Sequence, residues 1–202
     1  MKPIDVAGFE RLFRTSADPW DYRGSPFEAF KRAVLLRACG DRCHGRGLEL
    51  ACANGETTLR LLDRCLRLTA VDASPTAIAA ARRRIGDEPL LTLAVRRLPA
   101  EMPRGAFDLI VVSELVYYLT PKDLRQLIPK IERALAPGGR VVVLHHLRRF
   151  DDAAQLPALA QAMVRRTLAR SMRLVFAERH GRFEAVAFEA TRGQRLRLHD
   201  RS

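Results

Sequence analysis

Apolar residues recur along the chain in two rhythms, one typical of helices and one typical of buried strands. Phe9, Leu12 and Phe13 lie at helical spacing and predict a first helix that ends near Ser16. A second helix is predicted over residues 26–39, and Gly40 is placed to end it.

Three residues mark the start of this second helix. Ser25 is a favourable N-cap, Pro26 suits the first helical position, and Glu28 has the spacing that completes a capping box. The pattern therefore predicts that the Glu28 carboxylate turns back toward the beginning of the helix.

Beyond Gly47 the pattern changes to short apolar segments that predict strands. These segments lie at residues 48–50, 68–71, 90–95, 107–112 and 140–144. Helical patterns separate them at residues 57–65, 75–85 and 121–135, and a turn is predicted at 136–139. A last helix is predicted over 155–171, followed by a hairpin of residues 174–177 and 183–190 with Gly181 in its turn.

Strands that alternate with helices at this spacing are typical of an α/β fold. The prediction is a doubly wound, mostly parallel sheet of Rossmann-like type, with an antiparallel C-terminal hairpin. In such a sheet a ligand binds beyond the carboxyl ends of the strands, where the strand order reverses. The residues that directly follow each strand are therefore the candidates for function.

Composition limits the class of protein. The chain has 202 residues, of which 48% are hydrophobic, so one domain with a packed core is expected and general disorder is excluded. No apolar run approaches the roughly 20 residues that a membrane helix needs. Asp5 and Glu10 interrupt the N-terminal stretch, so no secretory signal is expected.

The four cysteines are too few for a disulfide scaffold in a chain of this size. We therefore expect reduced thiols and a cytoplasmic protein. Cys39, Cys43 and His44 are grouped, but their spacing is unusual for zinc and no second ligand pair follows, so no metal is expected.

The balance of 35 basic against 23 acidic residues gives a net charge of +12, which could indicate a nucleic-acid partner. The charges are dispersed, however. The basic segment Arg192–Ser202 has no interleaved Phe, Trp or Tyr on which bases could stack. A solvated basic surface is the favoured interpretation, and nucleic acid is not the expected partner.

Two strand ends carry the candidate chemistry. After the first strand, the small residues Ala51, Ala53 and Gly55 let the backbone turn sharply, and the next helix directs free N–H groups at a ligand. The second strand ends in Asp72, 17 residues after Gly55, where an acid can accept hydrogen bonds from ribose hydroxyls. The dinucleotide pattern G-x-G-x-x-G is absent, so a nucleoside-binding domain of another kind is predicted.

Four segments in this order resemble the class I methyltransferases that use S-adenosylmethionine. They are Leu48–Gly55, Val71–Ser74, Phe107–Glu114 and Leu135–Gly139. Each is short, but each lies on the element where that family carries it. The resemblance implies S-adenosylmethionine as the cofactor, S-adenosylhomocysteine as the product, and no metal.

Further segments narrow the resemblance to the nodulation methyltransferase S family. They are Asp18–Trp20, Glu28–Arg32, Ser113–Leu119 and His145–His146, and the similarity spans residues 9–190. That family N-methylates the free amine of a deacetylated chito-oligosaccharide, and close relatives methylate other small molecules. The resemblance thus implies a small-molecule or saccharide acceptor without identifying it, and it does not indicate an oligomeric state.

The sequence departs from the wider family at two places. Ala51 and Ala53 stand where glycine is common, and a left-handed alanine would cost about 1–2 kcal/mol. The third strand ends in Arg96–Arg97 instead of the acid that many members use for the adenine amino group. Backbone near Leu98 and Pro99 is the alternative partner for adenine.

The predicted cofactor site comprises Trp20, Arg32, Glu49, Ala51, Ala53, Gly55, Asp72, Ala73, Ser74, Leu98 and Ser113. Asp72 is expected to bind the ribose, with a helix-capping role as the alternative. Trp20 could close over the ligand or anchor the N-terminal helices. Arg32, or its neighbour Lys31, could meet the cofactor carboxylate or lie on a solvated helix face.

The predicted catalytic residues are Glu114, Tyr117, His145 and His146. Glu114 or one histidine could take a proton from the acceptor. Tyr117 or Tyr118 could bind a sugar face or surround the sulfonium. Each of these residues could instead be a hydrogen-bonded or core residue at the edge of the site.

The sequence thus predicts a methyltransferase for a small polar acceptor, with N-methylation of an amino sugar or oligosaccharide amine as one candidate reaction. Residues 1–40 are expected to form a helical lid, 41–191 the cofactor-binding core, and 192–202 a mobile basic tail. An RNA methyltransferase and a non-catalytic S-adenosylmethionine-binding protein are the alternatives.

Overall fold

A computed structural model describes residues 3–191, so the predicted basic tail lies outside the described residues. The strands are β1 (His44–Leu50), β2 (Cys65–Asp72), β3 (Leu91–Val95), β4 (Phe107–Ser113), β5 (Leu135–His146), β6 (Met172–Arg179) and β7 (Phe183–Ala190). The helices are α1 (Val6–Thr15), α2 (Pro26–Cys39), α3 (Glu56–Leu61), α4 (Pro75–Ile85), α5 (Pro121–Ala134) and α6 (Pro157–Leu168). Short 3-10 turns occupy Leu62–Arg64 and Val116–Tyr118.

The strands form one sheet in the order β3-β2-β1-β4-β5-β7-β6. Strands β1 to β5 pair in parallel, and β7 pairs antiparallel with both β5 and β6. The strand order reverses between β1 and β4, which is the switch point of a doubly wound sheet. The predicted fold class is therefore confirmed, including the C-terminal hairpin.

Both faces of the sheet are covered because its central strands are apolar on both sides. On one face, side chains such as Ile110 and Val143 pack against α5 and α6. On the other face, Val111 and Leu144 pack with Leu35 of α2. The core thus holds the carboxyl ends of the parallel strands in fixed positions along one edge of the sheet.

Three helices begin at a Ser-Pro or Thr-Pro pair, as the sequence indicates. Ser25 caps α2, Ser74 caps α4 and Thr120 caps α5, each by accepting a hydrogen bond from a backbone N–H three residues later. The proline that follows lacks an N–H at a position where none is needed.

The predicted capping box at Ser25 is only half correct. Ser25 Oγ accepts from the Glu28 N–H at 3.4 Å, as predicted. The Glu28 carboxylate, however, does not turn back to the Ser25 N–H, which donates instead to the Asp21 carbonyl at 3.0 Å. The carboxylate pairs with Lys31, because that ammonium is one helical turn away and buried.

The predicted turn at 136–139 lies inside β5. Leu135 pairs with Phe107 and Arg140 pairs with Leu109, so the intervening residues bulge from the ladder. Gly138 has a φ of 73°, and a Cβ on Gly139 would lie 2.8 Å from two carbonyl oxygens. The glycines therefore allow a strand to continue through what the sequence pattern indicates is a turn.

Helix α1 is fixed to the N-terminus of α4 by Glu10. Its carboxylate accepts hydrogen bonds from Ser74 Oγ and Thr76 Oγ1, both at 2.6 Å. The hydrogen bond from Ser74 contributes most to lowering the Glu10 pKa to about 2.

None of the helices in residues 3–191 combines the length and apolar character needed to cross a membrane.

Candidate functional site

A cavity of about 500 Å³ opens at the carboxyl ends of the parallel strands, at the switch point. Helices α1 and α2 line it from the N-terminal side, together with the loops that follow β1, β2, β3 and β4. It has two chemically distinct parts. We call the part formed by Glu49, the loop 51–55 and Asp72 the β1–β2 half, and the part formed by Glu28, Lys31, Glu114, Tyr22 and Tyr118 the β4 half.

The loop of the β1–β2 half contains three left-handed residues. The φ angles are 59° at Ala51, 50° at Ala53 and 81° at Gly55. Each alanine in this conformation costs about 1–2 kcal/mol. Only Gly55 is also required by packing, because a Cβ there would lie 2.9 Å from the Cβ of Ala81 on α4.

Asp72 holds this loop in its conformation. One carboxylate oxygen accepts from the Ala53 N–H at 3.0 Å, and the other accepts from the Ser74 N–H at 2.9 Å. The strained alanine is thus stabilised by a charge-assisted hydrogen bond. The carboxylate also lines the cavity and keeps lone pairs free for a ligand.

The two carboxyl groups of this half lack a cation. Glu49 accepts a hydrogen bond from Thr58 Oγ1 at 2.6 Å, and neither Glu49 nor Asp72 forms an ion pair with the side chains of residues 3–191. Burial raises the pKa of Glu49 to about 8 and also raises the pKa of Asp72. A positively charged ligand is therefore the kind of molecule that this half would stabilise.

Asn54 adds a polar group with an unsatisfied acceptor. Its Nδ2 donates to the Ala17 carbonyl at 3.2 Å, which ties the loop after β1 to the segment before Trp20. Its Oδ1 is buried without a hydrogen-bond partner among the described residues, and Asn54 lines the cavity. A buried oxygen without a donor is costly unless a ligand or water supplies one.

The β4 half is built around a buried ammonium. Lys31 Nζ lies 2.6 Å from Glu114 Oε1 and 3.0 Å from Glu28 Oε1. Its side chain is 7% exposed, and those of Glu28 and Glu114 are 16% and 13% exposed. Because Glu28 and Lys31 are three residues apart on α2, both side chains reach the cavity from the same face of the helix.

Glu114 makes further contacts with its second oxygen. Oε2 accepts hydrogen bonds from the Tyr117 hydroxyl and from the His146 N–H, the latter at 3.2 Å. Its backbone has a φ of 52°, a strained conformation of the kind found at functional sites. Glu114 is therefore held firmly at the end of β4.

The Lys31 pairing decides the charge states of this half. Burial by itself would raise the pKa of Glu114, but the Lys31 ammonium, together with His145 and the Tyr117 hydroxyl, outweighs burial and lowers that pKa. Burial by itself would lower the pKa of Lys31, but Glu114 and Glu28 outweigh it and raise that pKa. An ion pair is therefore present near neutral pH, and Glu114 is a weak proton acceptor.

The structure does not bring His145 into the cavity. Its Nε2 accepts from the Val116 N–H at 3.1 Å and its Nδ1 donates to Gln161 Oε1 at 2.9 Å. Burial lowers its pKa to about 4. Both ring nitrogens are thus used within the core, so His145 has no nitrogen available as a catalytic base.

His146 and Tyr117 also lie outside the cavity lining. The Nδ1 of His146 donates to the Arg148 carbonyl at 3.2 Å, and Tyr117 is buried with its hydroxyl on Glu114. Of the four predicted catalytic residues, only Glu114 lines the cavity. Tyr118, the sequence alternative to Tyr117, lines it.

The predicted cofactor residues are largely brought together. Those that line the cavity are Trp20, Arg32, Glu49, Ala51, Ala53, Asp72, Ala73, Leu98 and Ser113. Gly55 and Ser74 do not line it, because they form the N-caps of α3 and α4. The Pro99 carbonyl accepts from Lys130 Nζ at 2.7 Å, so it is occupied.

Trp20 and Arg32 each line the cavity and also contact other protein groups, so both interpretations offered for each residue have a structural basis. Trp20 lines the cavity and also packs against Phe13 with ring centroids 5.6 Å apart. Arg32 donates to the Tyr22 carbonyl at 3.2 Å and lies 3.8 Å from Glu56. Lys31 points to Glu114 and is therefore not free to meet a cofactor carboxylate.

Sequence reasoning missed Glu28 and Asn54 as site residues. Glu28 was explained by the capping box, which hid the fact that Glu28, Lys31 and Leu35 follow one stripe of α2. The signal that could have identified Glu28 is a pair of opposite charges on the same helix face as a buried leucine. Asn54 carries no comparable signal, since polar residues are common in loops.

Residues 3–191 contain no cluster of His, Cys, Asp and Glu suited to a metal ion.

Comparisons with known proteins agree with this geometry. The family model described as a methyltransferase domain matches residues 48–139. Nodulation protein S of Rhizobium tropici is 37% identical over 127 residues, which cover 62% of this chain and 53% of that protein, or about half its length. Nodulation protein S of Sinorhizobium fredii is 31% identical over 177 residues, covering 84% of this chain and 82% of that protein.

A solved structure is also similar over most of the chain. It is the crystal structure of the N-methyltransferase NodS from Bradyrhizobium japonicum WM9 in complex with S-adenosyl-L-homocysteine. The TM-score is 0.79 at 27% sequence identity, and the match covers 92% of this chain and 97% of that chain.

Proposed function

The chain belongs to the nodulation protein S family of S-adenosylmethionine-dependent methyltransferases, and from that membership we propose that it methylates an amine nitrogen of a small polar acceptor. An amino sugar or an oligosaccharide amine is the acceptor class that we favour. We propose that it acts in the cytoplasm, in keeping with its four unpaired cysteines.

The β1–β2 half fits the cofactor. S-adenosylmethionine carries two cationic groups, and this half offers one buried and one partly buried carboxyl group, Glu49 and Asp72, without a cation among the described residues. We assign Asp72 to the ribose hydroxyls, and Glu49 and the loop 51–55 to the methionine end. Asn54 Oδ1 would accept a hydrogen bond there that it lacks within the protein.

The chemistry requires little from the protein beyond alignment. When bound, S-adenosylmethionine supplies a methyl group on a sulfonium, so that the acceptor lone pair forms the new bond to carbon while the C–S electron pair stays on sulfur. The protein has to orient the acceptor and exclude water from the reacting atoms. We propose that the helical segment of residues 3–40 acts as the lid, with Phe9 and Trp20 lining the covered side of the cavity.

The observation that carries the choice of an amine is the full occupation of Glu114. Lys31, Tyr117 and the His146 N–H use both of its oxygens, and Lys31 lowers its pKa. His145 is also unavailable. A hydroxyl acceptor would need a positioned base much stronger than a carboxylate, and neither Glu114 nor His145 supplies one, whereas an amine whose pKa lies near neutrality can lose its proton to water before attack.

The test combines cofactor binding with turnover. Calorimetric titration should show binding of both S-adenosylmethionine and S-adenosylhomocysteine. A screen with labelled cofactor should then give methylated product from amino sugars or amines, with the label on nitrogen by mass spectrometry. Label on hydroxyl groups or on RNA would contradict the proposed acceptor, and binding without any turnover would indicate a non-catalytic protein.

A further inference from the structure

The charges of the β4 half do not balance. Two carboxylates, Glu28 and Glu114, share one ammonium, that of Lys31, at 3.0 Å and 2.6 Å. The other cation of α2 in the cavity lining, Arg32, is turned toward the Tyr22 carbonyl and Glu56. One negative charge is therefore left over in the β4 half of the cavity.

The surplus charge can be assigned to one oxygen. Glu114 Oε1 forms an ion pair with Lys31 and makes no hydrogen bond with the described residues, but this oxygen is fully buried and so is not accessible to an acceptor. Glu114 Oε2 accepts from the Tyr117 hydroxyl and the His146 N–H. Glu28 Oε1 is engaged with Lys31. Glu28 Oε2 makes no hydrogen bond with the described residues, and it is not enclosed by protein, since the side chain is 16% exposed and lines the cavity.

Two tyrosine side chains share the cavity with this charge. Tyr22 and Tyr118 line the same cavity. Burial raises the pKa of Tyr22, and the negative charges of Glu114 and Glu28 raise it further. Burial and the charge of Glu114 likewise raise the pKa of Tyr118. A cavity that holds a carboxylate and is lined by neutral aromatic rings is an environment that attracts a cationic head group.

From this arrangement we propose that Glu28 is the residue that binds the amine of the acceptor, through Oε2, while Lys31 holds Glu28 and Glu114 in place. This inference rests on the proposed N-methyltransferase function. The protonated amine docks on the free oxygen of Glu28, loses one proton to water, and presents its lone pair toward the methyl group. Glu28 is a binding residue in this scheme, and Lys31 is a positioning residue.

The experiment uses the full chain, the variant Glu28→Gln and the control Glu189→Gln. Glutamine keeps the shape of Glu28 and can still accept from Lys31, but it removes the surplus charge. Glu189 is an ion-paired glutamate near the far end of the sheet, 2.6 Å from Arg140 and outside the cavity. The probes are glucosamine and a deacetylated chito-oligosaccharide as acceptors, with glucose as a competitor that has a hydroxyl instead of the amine.

We expect Glu28→Gln to raise KM for the amine acceptor by at least about tenfold while kcat stays within about threefold. The inhibition constant of glucose should stay within about twofold, because glucose has no charge to lose. The control variant should behave like the wild type in both respects. Unchanged KM in Glu28→Gln, or a loss confined to kcat, would overturn the assignment.

The same variants separate this inference from the proposed function. If Glu28→Gln weakened S-adenosylmethionine binding but not S-adenosylhomocysteine binding, Glu28 would serve the sulfonium and the amine assignment would fall. If the wild type methylated a hydroxyl or no acceptor at all, the proposed function would fall and the assignment with it. Amine methylation that is indifferent to Glu28→Gln would remove the assignment alone.

Discussion

The two halves of the cavity both bury carboxyl groups, but only one of them contains its own cation. In the β4 half, the Lys31 ammonium forms ion pairs with both Glu114 and Glu28, and its charge helps to lower the pKa of Glu114. In the β1–β2 half, Glu49 and Asp72 have raised pKa values because burial is not offset by a positive charge. The first half contains one cation for two carboxylates, whereas the second contains no cation among the described residues and would be completed by a cationic cofactor.

The halves also differ in what fixes their geometry. The β4 half is held by side-chain ion pairs between α2 and the end of β4. The β1–β2 half is held by backbone conformation, with left-handed Ala51, Ala53 and Gly55 fastened through Asp72. Changes to charge should therefore damage the first half most through stability, and changes to the second half most through ligand affinity.

The largest expected effect is on the ion pair of the β4 half. Lys31→Met leaves two largely buried carboxylates without their ammonium, and we expect the free energy of unfolding to fall by about 3–5 kcal/mol. Urea unfolding followed by circular dichroism measures this loss. Arg37→Met is the control, since Arg37 forms an ion pair with Glu178 that is half exposed and contributes about 0–1 kcal/mol. Equal losses in the two variants would show that Lys31 is not the centre of a buried network.

The second effect is on cofactor affinity. Asp72→Ala removes the proposed ribose ligand and frees the Ala53 N–H, and we expect the Kd for S-adenosylmethionine to rise by about 100-fold, or roughly 2.7 kcal/mol. Isothermal calorimetry gives the Kd, and circular dichroism checks that the fold persists. Asp63→Ala, in the 3-10 turn after α3, is the matched control. Wild-type affinity in Asp72→Ala would refute the assignment of the β1–β2 half.

The third effect is a pH dependence. In the free protein, the pKa of Glu49 is about 8, so at lower pH its carboxyl group carries a proton. A cationic cofactor favours the ionised carboxylate, and its binding must therefore release that proton. The release becomes easier as pH rises, so we expect affinity for S-adenosylmethionine to increase by up to about tenfold per pH unit below about pH 8 and then to level off. Calorimetry in buffers of different ionisation enthalpy should detect the released proton. Glu49→Gln should flatten the profile, and a wild-type slope retained in this variant would show that another group is responsible.

The smallest effect tests the strained loop. Ala51→Gly removes the strain of a left-handed alanine, which is about 1–2 kcal/mol, but it also raises the conformational entropy of the unfolded chain. We therefore expect the free energy of unfolding to rise by a net value of about 0.5–1 kcal/mol. Gly55→Ala is the opposite change in the same loop and should destabilise, because its Cβ would press on Ala81. Thermal unfolding of both variants decides the sign. Destabilisation by Ala51→Gly would mean that the alanine methyl group contributes packing that outweighs the strain.

Much of the fold follows from local signals in the sequence. The Ser-Pro and Thr-Pro starts of α2, α4 and α5 were predicted at the correct residue, because capping depends only on neighbouring positions. The strand β1 was predicted too short, since its first residues, His44–Gly47, are polar or small and lack the apolar pattern of a buried strand, although they pair with β2.

Part of the cavity lining could also be predicted from the sequence. Residues that follow strands, such as Asp72 and Ser113, could be identified because parallel strands bring their ends to one edge. His145 was misplaced because a strand residue at this edge can face either the cavity or the core, and its hydrogen bond to Gln161 depends on α6. Glu28 was missed because Lys31 links it to Glu114, a residue that is distant in sequence.

The antiparallel end of the sheet has a practical consequence. Because β7 runs against β5, the hairpin turn at 180–182 reaches the same rim as the parallel strand ends, where the Leu147 N–H donates to the Arg182 carbonyl at 2.8 Å. The Arg182 guanidinium lies 3.5 Å from the ring centroid of Phe27, next to Glu28. A longer loop grafted onto this turn would therefore extend beside helix α2, at the rim of the sheet where the cavity opens, without changing the ends of β1 and β2.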